Sequence, residues 1–282
     1  MLQAEAITSA QNQRIKRIQL LNTKASRRRE EGMFVAEGSR LLLDTPPQFL
    51  EEIYVTEEYL QKEKAALTQK LLEAQKEGKQ PGLFLLTDEL MKKISDTQTP
   101  QGAAAVVRKP VWSREQLLGK AGNGQTRLQR ETLLLILEDI QDPGNLGTMI
   151  RTAEAAGVTG VLMSRGCVDL FHPKTVRSTM SAVFRVPFGI CEDLNAEIKG
   201  LTEGGIPVYA AALDASARSY TQADYRYGCG LLIGNEGNGL SRKALDAASA
   251  RIYIPMQGRI ESLNAAMAAG ILMFEAARQR TV

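Results

Sequence analysis

The sequence predicts an α/β protein of two domains. The carboxy-terminal domain is built on a mostly parallel sheet, and a smaller α/β sandwich precedes it. Three observations predict this. Strand-like and helix-like segments alternate over 33–107 and again over 133–278. Between them, 113–131 is polar and centred on Gly122-Asn123-Gly124, a linker by composition. The 282 residues suffice for two domains, and 44% hydrophobic with 24% charged residues excludes a disordered or collagen-like chain. The expected boundaries are 1–30 (a basic helical arm), 31–109, 110–131 (the linker) and 132–282.

Each element has a local reason. Over 11–30, Ile15, Ile18 and Asn22 or Leu21 hold one face of a helix and basic residues the rest. Strands are expected at Met33–Ala36, Glu52–Thr56, Leu83–Thr87 and Ala103–Val107. Helices are expected at Ser39–Leu43, at Glu57–Glu77, and from an Asp88 cap to Ile94. Past the linker, LLLILED (133–139) is the continuous apolar run of a strand covered on both faces. Further strands are expected at Gly160–Ser164, into Val186, and at Val208–Leu213, Gly230–Ile233 and Arg251–Ile254. Helices are expected at Leu146–Ala156, Lys174–Met180, Asp193–Thr202, from Ser241, and at Leu263–Arg278. Strands in that rhythm form a parallel sheet with ligands at its carboxyl ends.

Composition narrows the chemistry. Net charge is +3, but residues 1–30 carry seven basic residues against two acidic ones, a net of +5, leaving −2 for the rest. Arg14, Lys16, Arg17, Lys24, Arg27, Arg28 and Arg29 are therefore the candidate phosphate contacts of a nucleic-acid partner, against a merely solvated basic helix. Three cysteines (Cys167, Cys191, Cys229) and the single His172 form no zinc pattern and no nucleophile–base pair, so no metal is expected. No apolar run is long enough to span a bilayer, and the first residues lack the apolar core of a secretion signal. A cytoplasmic protein is the expectation.

Three segments leave strand ends and enter helices. The first, Asp142 to Arg151, holds Asn145 as a candidate helix cap, and Arg151 one and a half turns further on. The second, Gly234-Asn235-Glu236-Gly237-Asn238-Gly239, exposes backbone amides. It lacks the lysine of a phosphate-binding loop, and Glu236 would repel a phosphate. The third, Ile254 to Asn264, enters an alanine-rich helix with Ser262 as its expected cap. No acid pair and no serine–histidine pair accompanies them, which argues against glycosidase and triad chemistry.

Those residues carry a resemblance. NLGTMIRTAEAAG (145–157), LLIGNEGNGLS (231–241) and IPMQGRIESLNAAMAAGILMFEA (254–276) resemble, in order and spacing, the three motifs of the SpoU/TrmH family of RNA 2′-O-ribose methyltransferases. FVAEGSRLL (34–42) and SDTQTPQGAAAVV (95–107) are similar to the family's ribosomal-protein-like substrate-binding domain. The resemblance implies a carboxy-terminal trefoil knot from about Gly230 onward, S-adenosylmethionine as cofactor, and a homodimer. It implies catalytic roles for Arg151, Asn145, Glu236, Ser262 and Asn264. Cofactor contacts are implied for Leu213, Gly234, Asn235, Gly237, Gly239, Ile254, Met256, Leu263 and Asn264. The implied substrate is structured RNA, with ribosomal RNA preferred. The family usually carries Ser and then Gly where this chain has Thr179 and Ser181. Two other readings compete: a non-catalytic RNA-binding protein of the same fold that acts in ribosome assembly, and a nucleotide-phosphate enzyme using the 234–239 loop.

Overall fold

Two sheets, each with its own core, organise the computed structural model, which describes residues 4–119 and 132–281. The chain divides into a first unit, Met1–Val111 with Asp169–Phe184, and a second, Trp112–Val168 with Arg185–Val282. The expected Gly122-Asn123-Gly124 centre of the linker lies outside the described residues.

The first unit has five strands: β1 (Glu5–Ile7), β2 (Met33–Glu37), β3 (Leu50–Thr56), β4 (Gly82–Leu86) and β5 (Ala103–Arg108), in the order β1-β4-β3-β5-β2. β5 runs antiparallel to both β2 and β3, while β4 pairs parallel with β1 and β3. β1 was not expected, because three residues carry too little periodicity to be read. The expected arm is part of this unit's core. It forms two helices, α1 (Gln13–Thr23) and α2 (Ala25–Glu31), and Ile15, Ile18 and Leu21 are buried with Tyr54, Phe84 and Ile94. α3 (Ser39–Asp44) follows β2. The expected 57–77 helix breaks at Glu63 into α4 (Glu57–Lys62) and α5 (Lys64–Lys76). α6 (Asp88–Ile94) is capped by Thr87, whose side chain accepts from the Leu90 amide, rather than by Asp88.

The second unit has one seven-stranded sheet, β6 (Leu133–Leu137), β7 (Gly160–Ser164), β8 (Phe188–Cys191), β9 (Val208–Ala211), β10 (Arg218–Ser219), β11 (Cys229–Ile233) and β12 (Ala250–Tyr253). Its order is β10-β12-β9-β11-β6-β7-β8, and every pairing is parallel. β6 is buried along its whole length, as its unbroken apolar run requires. β10 and β8 are additions. The segment expected to be a strand into Val186 is instead a 3-10 turn (Ala182–Phe184), and β8 starts after Pro187. The helices of this unit are α7 (Arg114–Leu117), α8 (Pro143–Ala155), α10 (Leu194–Glu203), α11 (Arg242–Ala247) and α12 (Ala265–Arg280). α7 lies in the expected linker, yet a Ser113–Gln116 capping box starts it, and its Leu117 is buried with Leu134, Ile136 and Leu162.

The segment between β7 and β8 belongs to the first unit. It carries α9 (Pro173–Ser178), capped by His172, whose Nδ1 accepts from the Lys174 amide at 3.2 Å. Phe171 and Phe184 both lie against Phe34, with ring centres 4.8 and 6.0 Å away. Arg177 donates to Asp96 at 2.6 Å and to buried Glu37 at 3.5 Å. Thr179 and Ser181 are both fully buried. Thr179 Oγ1 donates to the Val176 carbonyl at 2.7 Å. Ser181 is held at φ 72°, and its hydroxyl has no partner.

Glycine adopts that backbone without steric penalty, and its loss of the hydroxyl removes an unsatisfied buried group. Against this stands about 0.5–1 kcal/mol of extra unfolded-state freedom. We expect Ser181→Gly to raise stability by about 1–2 kcal/mol, a few degrees in Tm. An unchanged or lowered melting temperature would contradict the strain argument.

Candidate active site

In a parallel sheet all strands end on one edge, so the loops after neighbouring strands meet there. β12, β9, β11 and β6 are consecutive in the sheet, and the loops after them hold the residues singled out above. Hydrogen bonds tie three of those loops together.

Glu236, after β11, reaches to the loop after β6. Its carboxylate accepts the Gln141 and Asp142 amides at 3.1 Å each and Asn145 Nδ2 at 3.0 Å. Asn145 Oδ1 in turn accepts from Asn264 Nδ2 at 2.9 Å, so the acceptor at one end of the chain orients both amides. Asn264 starts α12: its Oδ1 accepts from the Ala266 and Met267 amides. Asn264, not the expected Ser262, is therefore the cap of α12. Asn145 is likewise not the cap of α8, because Asp142 Oδ1 accepts from the Asn145 amide at 2.8 Å. Asn145, Glu236 and Asn264 thus come together, one from each loop.

Partial burial pushes the Glu236 carboxyl up. The hydrogen bonds from Asn145 and from the Gln141 and Asp142 amides outweigh it, and its pKa ends below the usual glutamate value. Charged and fully engaged, Glu236 positions the loops. A reciprocal contact runs the other way: Glu138, buried just past β6, accepts the Ser241 amide at 2.7 Å and its hydroxyl at 2.6 Å. Sequence reasoning missed Glu138. The only signal was an acid closing an apolar run.

The loop after β11 is a tight turn. Asn235 and Gly239 exchange backbone hydrogen bonds, Asn235 Oδ1 accepts the Gly237 and Asn238 amides, and its Nδ2 donates to the Asp139 carbonyl. A Cβ at Gly234 would lie 2.4 Å from the Gly239 carbonyl carbon, so only glycine lets the turn close. Asp139, at φ 53°, is held there by its Ser164 and Asn235 contacts.

Arg151, on α8, is exposed and forms no ion pair or hydrogen bond among the described residues. Ser262 is also exposed and makes no hydrogen bond among them. Leu213 is 76% exposed after β9, and Ile254, Met256 and Leu263 are half-buried after β12. Among the described residues, no group of three or more His, Cys, Asp or Glu could hold a metal. Burial pushes the Cys191 and Cys229 thiols up to about 11, away from nucleophilic use.

The basic residues of 1–30 fare unevenly. Arg28 is buried, with its guanidinium on Asp169 and on the Leu21 and Asn22 carbonyls, so it is not a phosphate contact. Arg14 pairs with Glu52, Arg17 with Glu31 and Glu52, and Arg27 with Glu30 and Glu31. Lys16, Lys24 and Arg29 are exposed and pair with no described residue.

Comparison with known proteins gives this arrangement a family. Residues 132–274 match the SpoU rRNA Methylase family, and 12–105 match the MRM3-like substrate binding domain. The chain belongs to the SpoU rRNA methylase family. It is 32% identical over 270 residues to 23S rRNA (guanosine(2553)-2′-O)-methyltransferase RlmP of Bacillus subtilis, covering 95% of this chain and 97% of that one. The crystal structure of an rRNA methyltransferase from Sinorhizobium meliloti superposes with a TM-score of 0.81 at 29% identity, over 98% of each chain. An AdoMet-bound form of the Sinorhizobium meliloti enzyme gives 0.81 at 27% identity, again over 98% of each. No described helix is long and apolar enough to cross a membrane.

Glu236→Gln would turn an amide group toward backbone amides. We expect amide exchange at Gln141 and Asp142, corrected for intrinsic rates, to accelerate about 10-fold or more. The depressed pKa makes the wild-type protection present above the ordinary glutamate value of about 4.3 and lost as pH falls through the lower folded value. Unchanged protection in Glu236→Gln would mean the carboxylate does not hold this loop.

Proposed function

We propose that the chain transfers a methyl group from S-adenosylmethionine to a ribose 2′-hydroxyl of ribosomal RNA. The observation that carries this reading is the loop cluster itself. The chain Asn264–Asn145–Glu236 fastens three strand-end loops, and Arg151 on α8 is left with no partner among the described residues. The named activity of the Bacillus subtilis relative and the AdoMet-bound Sinorhizobium meliloti structure support the same reading.

The loops suit the cofactor. Leu213, Ile254, Met256 and Leu263 supply apolar side chains that are not fully buried, and Gly234, Asn235, Gly237 and Gly239 supply a thin backbone cradle. When bound, S-adenosylmethionine supplies the methyl group from its sulfonium. Glu236 and Asn145 keep the 138–145 and 234–241 loops in one register, and Asn264 adds the start of α12. Arg151 orients the target nucleotide by its phosphate and stabilises the alkoxide that forms as the hydroxyl loses its proton. A guanidinium already carries its full complement of protons and cannot take that one, and Glu236 is already engaged, so the proton leaves to a substrate phosphate or to water. The 2′-hydroxyl makes RNA the substrate. Ser262, exposed and without a hydrogen bond among the described residues, is left to contact the nucleotide in this reading. The trefoil knot implied over 230–282 belongs to this reading.

A homodimer also belongs to it. On α12, Met267 and Phe274 are 60% and 52% exposed, and half-buried Ile271 lies between them on the same face. A second copy of the chain would cover that stripe.

Two measurements test these statements. Arg151→Ala should lower methyl transfer to ribosomal RNA by about 10²–10³-fold while S-adenosylmethionine still binds. Loss of cofactor binding would assign Arg151 a structural role, and full activity would remove it from the reaction. Phe274→Asp should sediment as a monomer, whereas a wild-type protein that is itself monomeric would refute the dimer.

A further inference from the structure

Resting on the reading of RNA as substrate, the geometry points to a specific RNA-backbone groove between α1 and α6 in the first unit. We infer that it takes a ribose-phosphate segment through Lys16 and Lys93.

Charge sorting singles it out. Of the seven basic residues in 1–30, Arg14, Arg17, Arg27 and Arg28 are neutralised within the protein. Lys16 keeps its charge. It lines a groove of about 580 Å³ with Lys93 on the other wall, and both are exposed with no described partner. That volume falls in the ~300–1,000 Å³ range of ligand clefts. Lys93 sits in the last turn of α6. The only acid on the lining, Asp96, is paired with Arg177 at 2.6 Å. A second cleft of the unit, between α4 and α6, carries Glu58, Glu63 and Asp88 against two lysines, a balance that repels a polyanion.

The groove offers more than charge. α1 is fixed to the end of α6 by Asn22 Nδ2 on the Ile94 carbonyl at 2.6 Å and Gln19 Nε2 on the Lys93 carbonyl at 3.3 Å, so the two walls hold their spacing. Ser95, on the floor, carries a covered hydroxyl with no partner. Such a group is costly to bury. Ser95 lines the same groove, and a ribose 2′-hydroxyl can both give and accept a hydrogen bond. Leu20, 40% exposed on the same lining, offers apolar contact to the sugar.

Filter binding of the full-length protein to a radiolabelled 23S rRNA transcript, over a salt series, tests this. Lys16→Glu with Lys93→Glu should raise Kd about 10-fold or more at 0.1 M salt. The slope of log K against log salt should become shallower by about 1–2. S-adenosylmethionine affinity and melting temperature should stay unchanged. Ser95→Ala should narrow the preference for RNA over DNA of the same sequence. Lys64→Glu with Lys76→Glu, on α5, is the control and should leave Kd within about twofold. RNA affinity kept by the α1/α6 double variant, or lost equally in the control, would overturn the groove while leaving methyl transfer by the wild type intact. A wild type that neither binds nor methylates ribosomal RNA would overturn the function as well.

Discussion

The Glu236 carboxylate is the point on which the loop-bearing edge of the seven-stranded sheet depends. A parallel sheet delivers strand ends to one edge but does nothing to fix the loops beyond them. Here a carboxylate carried by one loop is solvated by two backbone amides and an asparagine of another, in place of water. Charge-assisted hydrogen bonds of this kind are about twice as strong as neutral ones. The arrangement is mutual, since Glu138 receives Ser241 from the loop that sends Glu236. Two acids in one small region avoid repulsion because each is saturated by donors of the opposite loop.

Engaged groups and free groups divide the labour. The polar residues that look catalytic by type, Asn145, Glu236 and Asn264, spend their hydrogen bonds on one another and on nearby backbone amides. Arg151, by contrast, is exposed and pairs with no described residue. Among the basic residues of 1–30 a similar division holds: Arg14, Arg17, Arg27 and Arg28 close internal ion pairs, while Lys16, Lys24 and Arg29 pair with no described residue. Arginine suits the first task through its planar fork of donors, and a flexible lysine suits contact with a mobile phosphate chain.

The sequence made the architecture legible where the signal was local and long. The run 133–137 is a fully buried strand, and Gly160–Ser164 is a strand with the expected bounds. Short elements were not legible: β1 and β10 have three and two residues and take their identity from their neighbours. Caps were mislocated by a residue or more, because Asp142 and Asn145, or Ser262 and Asn264, are equally good capping types and only the path of the chain chooses. The family motifs brought Asn145, Glu236 and Asn264 forward. They could not show that these three bond to each other across 91 and 119 residues of sequence. The fate of the basic arm was the least legible feature, since Arg28 meets an aspartate 141 residues away.

The chain passes between its two units three times, at 111–112, 168–169 and 184–185. The family boundary at residue 132 is therefore a boundary of homology and not of folding. A fragment beginning there would carry Phe171, Phe184 and Asp169 away from Phe34 and Arg28, exposing two aromatic rings and a carboxylate that normally answers a buried guanidinium. Such a half would be sticky and incomplete. A single cut in the 113–131 tract of the whole protein is a different event: the 169–184 segment is still supplied to the first unit, whose core keeps all of its parts.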